Sequence, residues 1–243
     1  MQLPHFPLHS VVFPHLPLPL HVFEERYRAM AADLTATDSP WQGRFVVSMI
    51  TDGPEVGGEA RSHAIGTICE VHTAERFADG RWMLLAVGVA RARIGVVHRS
   101  GPYAVAELDE LAELVGEGAA ELVPSVQRAL DAYLATVKRF VVRTASVAQE
   151  SQDSQVSQET GDVTTSLDHM LKPIRLPDDP SAASYAVGGM LQVELSRKQH
   201  LLELPDAATR LRAELELLRR ETRLLDDGAM PPVPTSDLGY HPN

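Results

Sequence analysis

The chain is 243 residues long with a formal net charge of −11, enough to bury a real core as one large domain or two small ones. The acidic balance argues against general nucleic-acid binding, because phosphate affinity rests on Lys and Arg, and only three lysines (Lys138, Lys172 and Lys198) are present. A single cysteine, Cys69, excludes an intrachain disulfide and a multi-cysteine zinc site, and no apolar run approaches the ~18 residues that suggest a membrane span.

Leu8, Val11, Val12 and Phe13 form a short apolar run typical of a buried strand, ended by Pro14. Leu16, Leu18, Leu20 and Val22 alternate with proline or histidine, the period of an extended segment with one face covered. Pro4, Pro7, Pro14, Pro17 and Pro19 cannot all donate to a ladder, which places the stretch at a sheet edge or bulge. A helical pattern opens at Phe23-Glu24-Glu25-Arg26-Tyr27 and runs to about Leu34. Strands are expected over 44–50, 63–73, 82–90, 91–97 and 103–108, with a loop over 51–62 and a tight hairpin at Asp79-Gly80. Gly66 marks a bulge or a close backbone approach. Short strands at this spacing suggest a small barrel or sandwich that ends near Gly116 to Gly118.

The second half changes period. With Pro124 at its first turn, a helix is expected to about Arg143. Residues 144–168 are rich in Ser, Gln, Thr and acid, with no Lys or Arg between Arg143 and Lys172. Such a segment is expected to be a mobile insertion, since it buries too little apolar surface to offset its ordering entropy. Helices resume after Pro180, with Ser181 as N-cap and the pattern continuing to Leu195. Gly188-Gly189 weakens this helix unless a neighbour packs closely against it. Ser196 and Gln199 fit a capping box for a short helix through Leu204. Asp206 caps a last helix whose Leu211, Leu215, Leu218 and Leu225 keep one apolar face, opposite Arg212, Glu216, Arg219, Arg220 and Arg223. The proline-rich tail from Gly228 has no core-forming pattern.

The ordered run Phe6-Pro7-Leu8, Val11-Val12-Phe13-Pro14, Leu18-Pro19-Leu20 and Phe23-Glu24-x-Arg26-Tyr27 resembles the opening signature of the Lon protease N-terminal, substrate-binding domain family. Ile65-Gly-Thr-Ile-x-Glu-Val71, Asp79-Gly80-Arg81, Gly88-x-x-Arg91-x-Arg93-Ile94 and Pro102-Tyr103-x-x-Ala106-Glu107-Leu108 resemble later pieces in the same order. Lys198-Gln199, Leu201-Leu202-Glu203, Arg210-Leu211 and Leu217-Leu218-x-x-Glu221 resemble its helical half. The resemblance implies an α+β chain: a PUA-like β-barrel over 1–118, a helical bundle over 119–227 with the 144–168 insertion, and a flexible tail over 228–243. In Lon this region is followed by an ATPase and a Ser–Lys protease. No G-x-x-x-x-G-K-[ST] phosphate loop occurs here and no lysine has a serine–lysine setting, so a free-standing, non-enzymatic domain is expected.

His5, His9, His15 and His21 lie in a proline-interrupted extended run that spreads its side chains, so surface histidines are expected rather than a metal site. No H-E-x-x-H or G-x-S-x-G occurs. No catalytic residue, metal or cofactor is therefore expected, and Cys69 reads as a small core residue. The signature residues Pro7, Leu8, Phe13, Pro14, Leu18, Pro19, Leu20, Phe23, Glu24, Arg26 and Tyr27 are expected to be structural. Within that set, Phe13, Pro14, Leu18, Leu20 and Phe23 belong to the core, and Glu24, Arg26 and Tyr27 make an ion pair or cap at the barrel's mouth. Gly88 and Arg91 read as strand-packing and edge residues. The resemblance implies a module that binds unfolded or damaged polypeptide, or an adaptor to a protease or chaperone, acting through exposed apolar side chains or strand addition. The alternative is a PUA-like nucleic-acid or small-molecule binder, with the acidic charge against nucleic acid. The N-terminus lacks a basic n-region, and a reducing cytoplasm without membrane contact is the expected setting.

Overall fold

The computed structural model describes residues 1–56, 60–150, 174–228 and 241–242. Its elements begin with β1 (Gln2–Leu8), β2 (Pro17–Val22), α1 (Glu25–Thr35), β3 (Arg44–Asp52), the two-residue β4 (Arg61–Ser62) and β5 (Ile65–Arg76). The 17-residue β6 (Trp82–His98) and β7 (Val105–Glu110) complete the first half. Among the described residues four helices follow, α2 (Ala119–Glu150), α3 (Pro180–Met190), α4 (Leu195–Glu203) and α5 (Ala207–Asp226), and then β8 (His241–Pro242).

The strands form one sheet in the order β4-β3-β1-β7-β6-β2-β8, with β5 off this path and paired to both β3 and β6. Among the described residues, only the β1–β3 and β2–β8 strand pairs are parallel. The α+β class holds. In place of the expected PUA-like barrel, the strands make this eight-stranded, mostly antiparallel sheet with two-residue strands at both ends of its order.

Proline chemistry shapes that order. The stretch reads as a sheet edge or bulge, yet its first strand, β1, lies between β3 and β7. It tolerates Pro4 and Pro7 because it changes partner partway: Gln2 to Pro4 pair with β7, and His5 to Leu8 pair with β3. β2 is reached through a bulge. The His15 amide donates to Gly88 O and the Gly88 amide donates to Leu16 O, so two residues oppose one. His15 takes φ 66°, the left-handed conformation that glycine usually supplies at this bulge position. With Leu16 facing β6, strand alternation turns the backbone groups of Leu18, Leu20 and Val22 to β6 and those of Pro17, Pro19 and His21 outward. Both prolines thus sit where no ladder donor is needed.

The described residues pack into three apolar clusters. One lies under α1, around Phe6, Leu20, Met30, Phe45 and Leu84; a smaller one lies around Leu3, Val46, Ile68, Ala92 and Leu108. The third is the helical core of Leu130, Tyr133, Tyr185, Leu211 and Leu218. Phe13, from the N-terminal loop, is buried in this helical core and not in the sheet. It meets Gly188 of α3, where an added Cβ would lie 2.9 Å from Phe13 Cζ; the neighbouring Gly189 faces Leu16 in the same way. This close approach is why α3 carries two glycines despite their cost of ~1 kcal/mol each.

Polar contacts fix the helices to the sheet. Arg91 of β6 was read as an edge residue, but its side chain is buried. It donates to Leu202 O at 3.0 Å and Pro205 O at 3.3 Å and pairs with Glu113 at 3.2 Å. Arg210 of α5 reaches the same carboxylate at 2.6 Å, donates to Ser184 Oγ at 2.7 Å and covers the Tyr185 ring at 4.0 Å. The Tyr185 hydroxyl also donates to Glu113. Leu114 O and Val115 O accept from Ala207 N and Ala208 N, so the linker is pinned to the start of α5.

Helix limits differ from the sequence reading where caps were misplaced. α2 starts one turn earlier, at Ala119, just after Gly116 and Gly118 in positive φ, so Pro124 lies inside it. It runs to Glu150, seven residues into the expected insertion, whose remainder lies outside the described residues. Asp179, not Ser181, caps α3 by accepting from Ala182 N at 2.7 Å, with Pro180 at the first helical position. α3 stops at Met190, short of Leu195. Ser196 lies inside α4, and Gln199 donates to Ile65 O and Glu203 Oε1 rather than closing a capping box. Asp206 caps α5 at Thr209 N, 2.7 Å away. Beyond Gly228 the tail is described only at β8.

Candidate polypeptide-recognition surface

Cross-strand registry sorts β2, β6 and β5 into two faces. Leu18↔Ala86, Leu20↔Leu84 and Val22↔Trp82 point into the cluster beneath α1. Pro17↔Val87, Pro19↔Leu85 and His21↔Met83 occupy the opposite face, because directly paired residues share a side. This outer face is apolar and only partly covered, and Leu85 at its centre is 39% exposed. Thr73 and Glu75 of β5 border it. Phe23, 36% exposed, stands at its end. The centre of the buried His21 ring lies 6.2 Å from that of Phe23, tilted, and 6.5 Å from that of Phe77, edge-on.

The outward edge of β2 adjoins this face. It presents the carbonyls of Pro17, Pro19 and His21 but a single amide, that of His21, since proline has none. Strand pairing is therefore confined to its C-terminal end. β8 lies there, in parallel register with Leu20↔His241 and His21↔Pro242. The surface thus combines partly exposed apolar side chains with an edge already shown accepting a strand.

The signature residues divide between interior and surface. Leu8, Phe13, Leu18, Leu20 and Tyr27 are buried, as is Pro14; Pro7 and Pro19 are half-buried. Phe23 departs from the core assignment, because it follows β2 and precedes the helix and so faces the outer side. Glu24 sits at the N-cap position of α1 without capping it and pairs with Arg26 at 3.2 Å. The Arg26 guanidinium lies 4.6 Å from the Tyr27 ring centre and donates to Glu55 O at 3.2 Å.

Two of the four early histidines are not on the surface. His5 is buried with Nε2 2.7 Å from Ser48 Oγ, and burial, aided by the Arg99 charge, pushes its pKa down to about 4. His21 is buried as described. His9 pairs with Glu55 at 3.2 Å, and His15 is exposed at the bulge. Among the described residues, no three His, Cys, Asp or Glu side chains converge as metal ligands. Cys69 is buried and its thiol pKa is pushed up by desolvation. Among the described residues, no helix is long and apolar enough to cross a membrane.

Sequence reasoning missed the outer face of β6, because 82–90 reads as a continuous apolar run and only the registry divides it into faces. The alternation in β2 was the available signal: it already assigned Leu18, Leu20 and Val22 to a covered face, leaving their neighbours to the other.

Comparison with known proteins agrees with this architecture. The model of the ATP-dependent protease La (LON) substrate-binding domain matches residues 2–220. The chain is 25% identical to the Lon protease of Trichlorobacter lovleyi over 227 residues, 92% of this chain and 24% of that protein. It is also 25% identical to the Lon protease of Escherichia coli strain K12 and to Lon protease 1 of Myxococcus xanthus, with 93% of this chain and 25% of each protein covered. It therefore spans about a quarter of the length of these curated relatives. Among solved structures, a Lon N-terminal domain protein from Xanthomonas campestris shares the fold with a TM-score of 0.57 at 21% identity, covering 89% of this chain and 98% of that one. The N-terminal domain of a Mycobacterium avium complex Lon protease matches at 0.58 and 19%, covering 90% and 98%. The chain belongs to the LON substrate-binding domain family.

Proposed function

We propose that this chain is a non-enzymatic recognition module that binds extended apolar segments of unfolded or damaged polypeptide and presents them to a protease or chaperone in the cytoplasm. The observation that carries the reading is the surface centred on Leu85: an apolar, partly exposed sheet face beside a β2 edge on which β8 already pairs. An incoming strand gains main-chain hydrogen bonds that do not depend on its sequence, while its side chains cover Pro19, Leu85 and Phe23. The two proline carbonyls without partnering amides limit the length of that pairing, which suits transient capture and release.

In this reading the sheet half (1–118) carries recognition. The helical half (119–227) is docked to it through Phe13 and Arg91 and serves as the attachment to a larger machine. The match to the substrate-binding domain of Lon supports a substrate-recognition role.

The test is a titration of a fluorescent, permanently unfolded polypeptide with the purified chain, beside a pull-down from native extract. Saturable micromolar binding together with enrichment of protease or chaperone subunits supports the proposal. Absence of binding to the unfolded polypeptide overturns it.

A further inference from the structure

The outer strip of α5 plays no part in polypeptide capture on the sheet. Arg212, Glu216, Arg219, Arg220 and Arg223 are all exposed there. Four guanidiniums and one carboxylate thus share about 16 Å of helix, on a chain whose formal net charge is −11.

The fold does not consume these arginines. Arg212 donates to a carbonyl, Glu117 O, at 3.1 Å. Arg220 lies 3.8 Å from the nearly buried Glu221 carboxylate, beyond hydrogen-bonding distance. Among the described residues, the guanidiniums of Arg219 and Arg223 make no hydrogen bond or ion pair. The next acid on the helix, Asp226, is paired with Arg139 of α2 at 3.1 Å. Arg219 and Arg223 stand one turn apart, a like-charge spacing that costs helix stability.

An apolar groove of about 430 Å³ runs beside the strip, between α4 and α5. Its apolar lining is Leu201, Ala213 and Leu217, and Arg197, Glu216 and Arg220 border it. Arg197 is offset by Glu194, 3.9 Å away, so the excess positive charge lies on the α5 side. Leu224 follows Leu217 by two turns, continues the same helix face and is 37% exposed.

Groove and strip together select an occupant. A helix laid in a groove presents apolar anchors at one-turn spacing with charged flanks. The groove takes the anchors, and the arginines, which repeat along the helix axis, meet acids at the same spacing on one flank. Arginine forks match carboxylates. A nucleic acid is the other candidate polyanion. Single strands, however, are held on aromatic stacking platforms, and α4 and α5 contain no Phe, Tyr or Trp.

We propose that the α4–α5 groove and its arginine strip form a docking surface for an acidic amphipathic helix of a partner protein, with the partner's apolar side chains on Leu201, Leu217 and Leu224 and its carboxylates on Arg219, Arg220 and Arg223. The biological role rests on the reading that the helical half attaches the chain to a larger machine; the binding itself does not.

The test is fluorescence anisotropy with a labelled helical peptide of about fifteen residues, leucines on one face and glutamates beside them. One twin carries lysine for every glutamate and another carries serine for every leucine. Saturable binding of the acidic peptide at about 10–100 μM is expected, as for a small transient interface. It should weaken with salt and fall at least roughly tenfold for each twin. In the double variant Arg220→Glu, Arg223→Glu the preference should reverse toward the lysine twin. Both positions are exposed, so this protein should fold, which circular dichroism verifies. Capture of unfolded polypeptide should be unchanged in it, so failure at one site reads separately from failure at the other. No saturable binding of the acidic peptide, or equal binding of either twin, overturns the proposal. So do an unaltered preference in the double variant and tighter binding of a single-stranded oligonucleotide than of the acidic peptide. Sedimentation covers the remaining occupant: self-association of the parent that the double variant abolishes gives the strip to a second copy and also overturns it.

Discussion

The contact between Phe13 and Gly188 ties the N-terminal signature to the helical core, and it makes a quantitative claim. In an ordinary helix Gly188→Ala would gain ~1 kcal/mol from propensity. Here the new methyl would stand 2.9 and 3.0 Å from Phe13 Cζ and Cε1 and 3.3 Å from Cε2. The ring cannot retreat, because it is buried against Tyr185 and its own carbonyl is wedged against Gly88. Overpacking of this kind costs about 1–3 kcal/mol, so Gly188→Ala is expected to destabilise by ~1 kcal/mol net. Phe13→Leu removes the clashing atoms and alone costs about 1.5 kcal/mol as a partial truncation in a core. In the double variant the methyl fills the vacated space and the helix gain returns. It should lie only ~0.5 kcal/mol below the parent, a coupling of about 2 kcal/mol between the two sites. Urea unfolding followed by circular dichroism and tryptophan fluorescence measures all four proteins. Additivity within ~0.5 kcal/mol, or a Gly188→Ala variant stabilised by the full propensity gain, would refute the packing argument.

Four further predictions concern the clamp, the two buried titrating groups and the tail. Arg91→Met removes the buried donor shared by the Leu202, Leu204 and Pro205 carbonyls and one of the two arginines on Glu113; it should cost about 3 kcal/mol and, in thermal melts, separate the unfolding of helices and sheet. The pKa of His5 is lowered to about 4 from 6.5, so its contribution is fully present above pH 6.5 and is lost as pH falls through 4. That loss amounts to about 3 kcal/mol, and His5→Gln should abolish it in urea titrations across this range. Glu214 has the opposite sign: desolvation raises its pKa well above 4.5 against the pull of Arg210, so its contribution is present below 4.5 and is lost as pH rises through the folded pKa. Glu214→Gln should be more stable than the parent at neutral pH. Finally, deleting 228–243 removes β8 from the β2 edge, and if that pairing is worth ~1 kcal/mol the affinity for unfolded polypeptide should rise about fivefold.

Where side-chain chemistry acts locally, the sequence was a sufficient guide. The alternation in β2, the Asp79-Gly80 turn and the Asp206 cap each rest on a few neighbouring residues, and each lies where local rules place it. The Gly188-Gly189 pair was legible as a demand for close packing, although the partner that meets it, Phe13, is 175 positions away and could not be read. Arg91 shows why such cases fail. An arginine in a strand reads as an edge residue until the topology brings three backbone carbonyls and Glu113 around it. The caps of α3 and α4 were misread for a related reason, since Asp179 and Ser181 are both good capping residues and only the chain path selects between them. The Leu85 surface needed the β2–β6 register, which no contiguous motif encodes.

The central claim is that polypeptide capture occurs on the outer face of β2 and β6. The most direct measurement is fluorescence anisotropy of a labelled, permanently unfolded polypeptide titrated with the parent chain, with Leu85→Glu and with Leu224→Glu. The two leucines are similarly exposed, at 39% and 37%, but Leu224 lies on α5 in the helical half. The account predicts micromolar binding that weakens at least roughly tenfold in Leu85→Glu and is unchanged in Leu224→Glu. Equal affinity for all three proteins, or a loss confined to Leu224→Glu, would contradict it.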